Sequence, residues 1–339
     1  MAKYWAFRIA AAIIPLAPMG IARPLASALG MLIWALAPGT RERVERNLRH
    51  IPALANDPRR LHYAARGVFQ TMALNYLDFF RGAHLSDAEL RAGWTIENQD
   101  AFDAAMAQGK GMILLSGHFG NFEFAASRLG AIGHKLITPA ERMKPERVFE
   151  LFCQIREHHG LKIVPADSRD SLRELLDALK RNEVVMFVAD RYVLGASIET
   201  PFFGEPAKLP TGPIALALRG GAPVFTAYSW RTGPKTQHGV FIPLDLSELE
   251  TGTDTAPAGN AAEAPATATA SAGPLTATKL ERTRTAERVE RALRIFLTRL
   301  EEVVAAHPEQ WVAALAPIWE LSDQRDTSAS DITRKAGEA

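Results

Sequence analysis

One imidazole and one carboxylate stand out by their spacing. In Leu114-Leu115-Ser116-Gly117-His118-Phe119-Gly120-Asn121-Phe122-Glu123 a histidine is followed five positions later by an acid. Histidine exchanges its proton nearest to neutrality, which makes it the commonest general base. A carboxylate that accepts the Nδ1–H fixes the tautomer and leaves Nε2 free to take a proton from a hydroxyl. Glu123, in the first turn of a helix, can fold back on to a histidine in the preceding loop and fill that role. A hydroxyl activated in this way attacks an acyl carbonyl. The same residues also fit a plainer reading, a core histidine bonded to a neighbouring loop with Glu123 as an ordinary helix-start charge. Zinc chemistry is disfavoured, because His-Glu-x-x-His is absent and Cys153 is the only cysteine. No metal ligands are expected.

The elements that must position this pair can be read around it. Residues 112–115 form an apolar run too short for a helix, closed by Ser116-Gly117, and read as a buried strand. A helix over 122–129 follows, with Asn121 as its expected cap. His118 therefore stands just beyond the carboxyl end of a strand, where chemistry collects in open α/β sheets. Gly117 and Gly120 are expected to let backbone and substrate approach closely. Strands are expected at 135–138, 162–165, 184–190, 223–228 and 239–243, with helices at 145–158, 168–182 and 213–219, the last capped by Thr211-Gly212. This alternation gives an α/β fold, a central mostly parallel mixed sheet flanked by helices. Asp190 sits at the carboxyl end of the 184–190 strand, positioned for function although a loop-capping Asp would look the same, and Arg191 directly follows it. Arg142 and Arg156 bracket the elements between, and guanidinium forks suit phosphate; Glu141 and Glu157 offer a salt-bridge alternative. Phe202 and Phe203 either wall an apolar groove or join the core.

The 339 residues, 47% hydrophobic, are enough for one large domain or two small ones with a sizeable core. A net charge of +1 gives no electrostatic case for nucleic-acid binding. Residues 1–38 are apolar but interrupted. Arg23-Pro24 divides them into runs 9–22 and 25–37, each below the ~20 residues of a comfortable membrane span. Trp5, Phe7 and Trp34, with Lys3 and Arg8, resemble interface anchors. A cleaved signal peptide, a buried helical pair and a membrane-associated helical segment all fit, and the last is favoured. Arg41, Arg43, Arg46 and Arg49 then suit the cytoplasmic side. A helix capped by Thr40 and another over 61–80 lead into the domain at 39–321. Residues 251–278 read as a disordered Thr/Ala/Pro-rich insert, residues 281–306 as an amphipathic helix, and 322–339 as a polar tail. Gly109-Lys110-Gly111 precedes its strand and is no P-loop.

The block at 114–123 resembles the catalytic block of the late lipid A biosynthesis acyltransferases and of the related phosphatidylinositol mannoside acyltransferases, within the wider glycerolipid acyltransferase superfamily. Pro201-Phe202-Phe203-Gly204 and His307-Pro308-Glu309-Gln310-Trp311 are similar to two further segments of that family. The resemblance covers roughly residues 41–320. It implies a membrane-associated O-acyltransferase in which His118 is the general base and Glu123 orients it. Arg142 and Arg156 would meet phosphate groups, and Asp190, Arg191, Phe202, Phe203 and Gly204 would line the substrate site. No cofactor is implied beyond the co-substrate, an acyl carrier protein or coenzyme A thioester. The implied acceptor is a hydroxyl of a glycolipid or lysophospholipid, at the inner membrane with the catalytic domain facing the cytoplasm. Arg191-Tyr192-Val193-Leu194-Gly195 departs from the polar or Tyr-Gly stretch usual in the lipid A enzymes, which leaves the acceptor open. A thioesterase would need the missing Gly-x-Ser-x-Gly elbow, and a non-catalytic lipid-binding protein is the remaining alternative.

Overall fold

A computed structural model describes residues 2–168, 170–193, 195–244 and 274–319. From the amino terminus run α1 (Ala2–Ile13), α2 (Met19–Leu36), α3 (Pro38–Arg49), α4 (Pro52–Ala55), α5 (Pro58–Gly82) and α6 (Asp87–Arg91). Then come β1 (Trp94–Glu97), α7 (Gln99–Met106), β2 (Met112–Ser116), α8 (Phe122–Ala131), β3 (Leu136–Ala140), α9 (Glu146–Glu157), β4 (Leu161–Pro165), α10 (Ser171–Lys180) and β5 (Val184–Val188). A hairpin, β6 (Ser197–Phe202) and β7 (Glu205–Pro210), precedes α11 (Gly212–Gly220), β8 (Val224–Arg231), β9 (Gln237–Pro243) and α12 (Pro274–Ala306).

Seven strands form one sheet in the order β1-β9-β8-β2-β5-β3-β4, and β6–β7 stand apart as a two-stranded ribbon. Every pairing in the large sheet is parallel except β8 with β9. The α/β class and the mostly parallel sheet agree with the sequence reading. β2 is buried at all five positions and its neighbour β5 at four of five, as strands covered on both faces must be. Their shared register, Ser116 opposite Val188, brings the two following loops side by side. The core on one face joins β2 and β5 to α5, α11 and α12, with Phe69, Phe296 and Trp311 fully buried in it.

Local chemistry explains the helix bounds. α5 begins where the Asp57 side chain accepts the Arg59 and Arg60 N–H groups, with Pro58 at its first position. Three expected caps are not made. Thr40 lies inside α3, whose first residue is Pro38. Thr211 and Asn121 precede their helices without a side-chain cap bond; the Asn121 amide instead donates to Asp78 Oδ2 at 2.9 Å. Pro24 does not divide the amino-terminal segment. It sits within α2, and the helical break falls at 14–18, among Pro15 and Pro18. β1 and the β6–β7 hairpin were not expected from the pattern. Residues 251–273 of the expected insert, and the tail at 322–339, lie outside the described residues, whereas 274–278 open α12.

Candidate active site

Two residues beyond the ends of the paired strands β2 and β5 stand His118 and Asp190. Their ring and carboxylate meet: His118 Nδ1 lies 2.7 Å from Asp190 Oδ1. The His118 backbone N–H donates to Asp190 Oδ2 at 2.7 Å, and the Trp311 indole Nε1–H donates to the same oxygen at 3.2 Å. Asp190 is wholly buried. Burial pushes its carboxyl up, but the His118 charge and the bonds from His118 and Trp311 overturn that effect and hold it below the ordinary carboxylate value. The carboxylate thus stays ionised beside the imidazole and favours the tautomer with the proton on Nδ1.

The sequence reading gave this orienting role to Glu123, and the geometry corrects it. Both Glu123 oxygens are taken by Arg156, Oε2 accepting from Nε at 3.0 Å and Oε1 from Nη2. The physical reason is direction. Glu123 leaves the first turn of α8 towards α9, whereas the strand register delivers Asp190 to the Nδ1 side of the ring. Gly117 lets this happen, since a Cβ there would come within 3.1 Å of Asp190 Oδ2 and 2.8 Å of Leu300. Gly120 has φ +56°, and a Cβ on it would lie 1.7 Å from the Ser229 carbonyl. Both glycines therefore admit the protein's own atoms rather than a substrate.

The histidine loop is clamped from two sides. The Gly120 N–H donates to the Gln310 carbonyl at 2.8 Å, and the Val312 N–H to the His118 carbonyl at 2.9 Å. From α5, the Asn75 amide donates to the Gly120 carbonyl at 2.8 Å. Trp311 is buried behind this loop, edge-on to Phe202 at 5.7 Å and to Trp319 at 6.2 Å. Such aromatic pairs each contribute about 0.5–1.5 kcal/mol beyond simple burial.

The exposed side of the His118 ring faces a cavity of about 440 Å³, inside the range of small-molecule sites. Its walls are mainly apolar, among them Met72, Phe79, Phe152, Leu161, Ile163 and Met186; Glu123, Glu141, Arg156 and Arg191 supply charge. Arg156 is nearly buried, with its guanidinium over the Phe79 and Phe152 rings at 5.5 and 5.7 Å. Burial works against its charge, and the Glu123 carboxylate more than compensates, raising its pKa. Its ion pair leaves it a wall of the cavity, already neutralised. Burial also raises the Tyr76 phenol, helped by Glu123 and opposed by Arg156.

The other expected site residues divide clearly. Arg191 lines the cavity and has no ion-pair partner among the described residues. Arg142 is exposed, donating to Asp167 at 3.1 Å and Glu146 at 2.9 Å, and is not part of the cavity wall. Phe202 is fully buried against Trp311 and Trp319, and Phe203 packs on Trp311; neither reaches the cavity. Gly204 belongs to a turn. Phe203 (φ +50°) and Gly204 (φ +80°) are the two residues of the β6–β7 loop, the positive-φ pair that a tight hairpin demands. This block builds the support for Trp311 rather than an acyl groove. Trp311 itself was legible only as part of a closing motif, since nothing in its local sequence points to Asp190. Ser116 also falls outside the cavity: its hydroxyl donates to the Ala227 carbonyl at 2.7 Å.

Comparison with known proteins gives concordant findings. A family model described as bacterial lipid A biosynthesis acyltransferase matches residues 1–262. A phosphatidylinositol mannoside acyltransferase of Mycobacterium tuberculosis (strain H37Rv) is 34% identical over 150 residues, 44% of this chain and 48% of the relative. One of Mycolicibacterium smegmatis is 28% identical over 220 residues, 63% of this chain and 71% of the relative. The match spans about half the length of the M. tuberculosis relatives.

Proposed function

Because the chain belongs to the family of bacterial lipid A biosynthesis acyltransferases, we propose that it transfers a fatty acyl chain from a thioester to a hydroxyl of a membrane glycolipid or lysophospholipid. One observation carries this reading above the others. His118 Nδ1 is tied to the buried Asp190 carboxylate while the ring faces a largely apolar cavity at the carboxyl ends of parallel strands. That is the arrangement a general base needs, and the cavity wall suits an acyl chain.

In the proposed step the acceptor hydroxyl oxygen attacks the thioester carbonyl carbon as His118 Nε2 takes its proton. The tetrahedral adduct collapses, the carbon–sulfur bond breaks, and the departing thiolate recovers the proton from His118. The products are an ester and a free thiol, with nothing oxidised or reduced. Asp190 supports the imidazolium between the two transfers. Arg191 is the group proposed to meet an anionic part of donor or acceptor, since Arg156 is already paired. The donor is an acyl carrier protein or coenzyme A thioester, and no further cofactor is invoked. The proposed location is the inner membrane, with the catalytic domain on the cytoplasmic side. Ser116, spent on Ala227, gives a serine hydrolase no nucleophile.

The test compares lipids from cells expressing the intact protein or His118→Ala at matched levels by mass spectrometry. A lipid heavier by one acyl group is expected only with the intact protein. General-base removal costs about 10²–10⁴ in rate, so a folded His118→Ala variant that acylates as well as the intact chain would sink the proposal.

A further inference from the structure

Asp78 is an acid that the proposed chemistry does not use. It lies on α5, is buried with 5% of its surface exposed, and is not part of the cavity wall. Among the described residues three donors converge on its carboxylate. Arg231 Nη2, from the end of β8, reaches Oδ2 at 2.7 Å, and the Asn121 amide reaches the same oxygen at 2.9 Å. Arg23 Nη1 reaches Oδ1 at 3.4 Å. Arg23 arrives on α2, which packs so closely on α5 that a Cβ at the buried Gly30 would lie 2.6 Å from the Phe69 carbonyl. Arg231 is also buried, and it meets Asp78 through one nitrogen rather than a two-pronged fork. Burial outweighs the Asp78 carboxylate and lowers the Arg231 pKa. A buried pair of this kind is weak evidence for stability, and its connections show what else it holds.

Each connection leads to the loop that carries His118. Asn121 stands three residues after that histidine and directly precedes α8, where a side chain of its type ordinarily caps the first turn. Its amide goes to Asp78 instead. The neighbouring Gly120 N–H donates to the Gln310 carbonyl at 2.8 Å. The Gln310 side chain in turn accepts from the Arg231 backbone N–H at 2.9 Å and donates to the Arg231 carbonyl at 3.0 Å. Arg231 then returns to Asp78. The path is a closed ring through α5, the histidine loop, the turn at 308–310 and β8. Asn75, three residues before Asp78 and therefore its neighbour on the surface of α5, donates to the Gly120 carbonyl at 2.8 Å. Gly120 is thus fixed at both its N–H and its carbonyl, and the next side chain is fixed as well.

We propose that Asp78 and Arg231 are positioning residues for the acyl transfer: through Asn121 and Gly120 they hold the loop so that His118 keeps Nδ1 on Asp190 and its exposed edge towards the cavity. The inference rests on the acyltransferase reading for the reaction, and on geometry alone for the placement of the ring. Asp190 secures the His118 N–H and Val312 its carbonyl; the Asp78 cluster secures the two residues that lead into α8. Turnover is sensitive to such placement, because a shift of about 1 Å between reacting groups costs about 10²-fold in rate.

The test uses the full chain and reads three quantities for each variant: kcat and KM for acyl transfer, the midpoint of urea unfolding, and the ¹⁵N signals of the His118 ring, identified by their loss in His118→Ala. Asn121→Ser cuts the loop from Asp78 while placing a favoured cap before α8, so the midpoint should hold or rise. kcat should nonetheless fall about 10- to 100-fold, with KM within about twofold of the intact chain. The ring should show both tautomers where the intact chain shows Nδ1–H alone. Arg231→Met should act in the same direction, and Arg231→Lys should recover most of the loss, since an ammonium can still donate to Asp78. A folded Asn121→Ser with intact kcat would overturn the proposal, as would a fall in kcat with the ring tautomer unchanged. Arg231→Lys no better than Arg231→Met would overturn it too. If Asn121→Ser does not fold, the two Arg231 variants decide by the same criteria. An intact chain that transfers no acyl group would refute the acyltransferase reading, and the tautomer signals would then decide the positioning role by themselves.

Discussion

Replacing Asp190 by Asn alters one atom of a buried side chain, and the bonding around that atom dictates the consequence. Oδ2 accepts two N–H groups, from the His118 backbone and the Trp311 indole, whereas Oδ1 faces His118 Nδ1 alone. The amide can satisfy two donors only by placing its oxygen at the Oδ2 position. The opposite orientation would set an NH₂ group against two buried N–H donors, each loss costing about 1–3 kcal/mol. The NH₂ group is therefore forced towards Nδ1, which must accept. The His118 proton moves to Nε2, the atom that has to take the acceptor's proton, and the base is blocked by its own tautomer. The expected loss in turnover is about 10²–10⁴, equivalent to about 3–5 kcal/mol in the barrier. Stability should fall much less, by about 1–2 kcal/mol, because the two Oδ2 bonds survive without their charge. The assay is acyl transfer at saturating and limiting donor, paired with ¹⁵N NMR of the labelled imidazole. The wild-type ring should carry its proton on Nδ1 and the variant on Nε2. A variant with the Nε2–H tautomer and near wild-type turnover would refute the reasoning. So would an unchanged tautomer.

Three further expectations rest on the same geometry. Trp311→Phe keeps the ring behind the loop and removes one bond to a charged oxygen, a loss of about 1.5–3 kcal/mol in the support of Asp190; turnover should drop about tenfold with KM unchanged, and steady-state kinetics decide it. Glu123→Gln leaves Arg156 charged and unpaired at a nearly buried site, which should destabilise the fold by about 3 kcal/mol; adding Arg156→Gln should recover much of this in urea unfolding, and a strictly additive double variant would show that the pair is not coupled. The Asp190 carboxyl is held below its ordinary value in the folded state, so its contribution is present above the unfolded carboxylate range and fades as pH falls through the folded value. The stability gap between wild type and Asp190→Asn should therefore narrow in acid below about pH 4, as thermal melts across that range would show.

The amino-acid sequence by itself determined the architecture and the place of the candidate base. Continuous apolar runs at 112–115 and 184–188 are too short for helices and suit strands of a sheet covered on both faces, and the helices between them favour parallel pairing. A histidine just past such a strand is placed by the fold class alone. The partner of that histidine was another matter. Glu123 is near in sequence and fits the role by spacing, but side-chain direction on a helix depends on where the helix packs, and α8 turns Glu123 to Arg156 on α9. Asp190 lies 72 residues from His118 and comes to it through the Ser116–Val188 register, a long-range pairing that no local spacing encodes. Phe202 and Phe203 show the same limit, since an apolar side chain reads alike whether it lines a cavity or backs Trp311. α2 shows it again: composition makes it apolar, but only its packing on α5 separates the face that meets protein from the face that remains exposed. Local sequence sets the elements and their periodicity, and the choice among possible partners is made by distances that exist only once the sheet has closed.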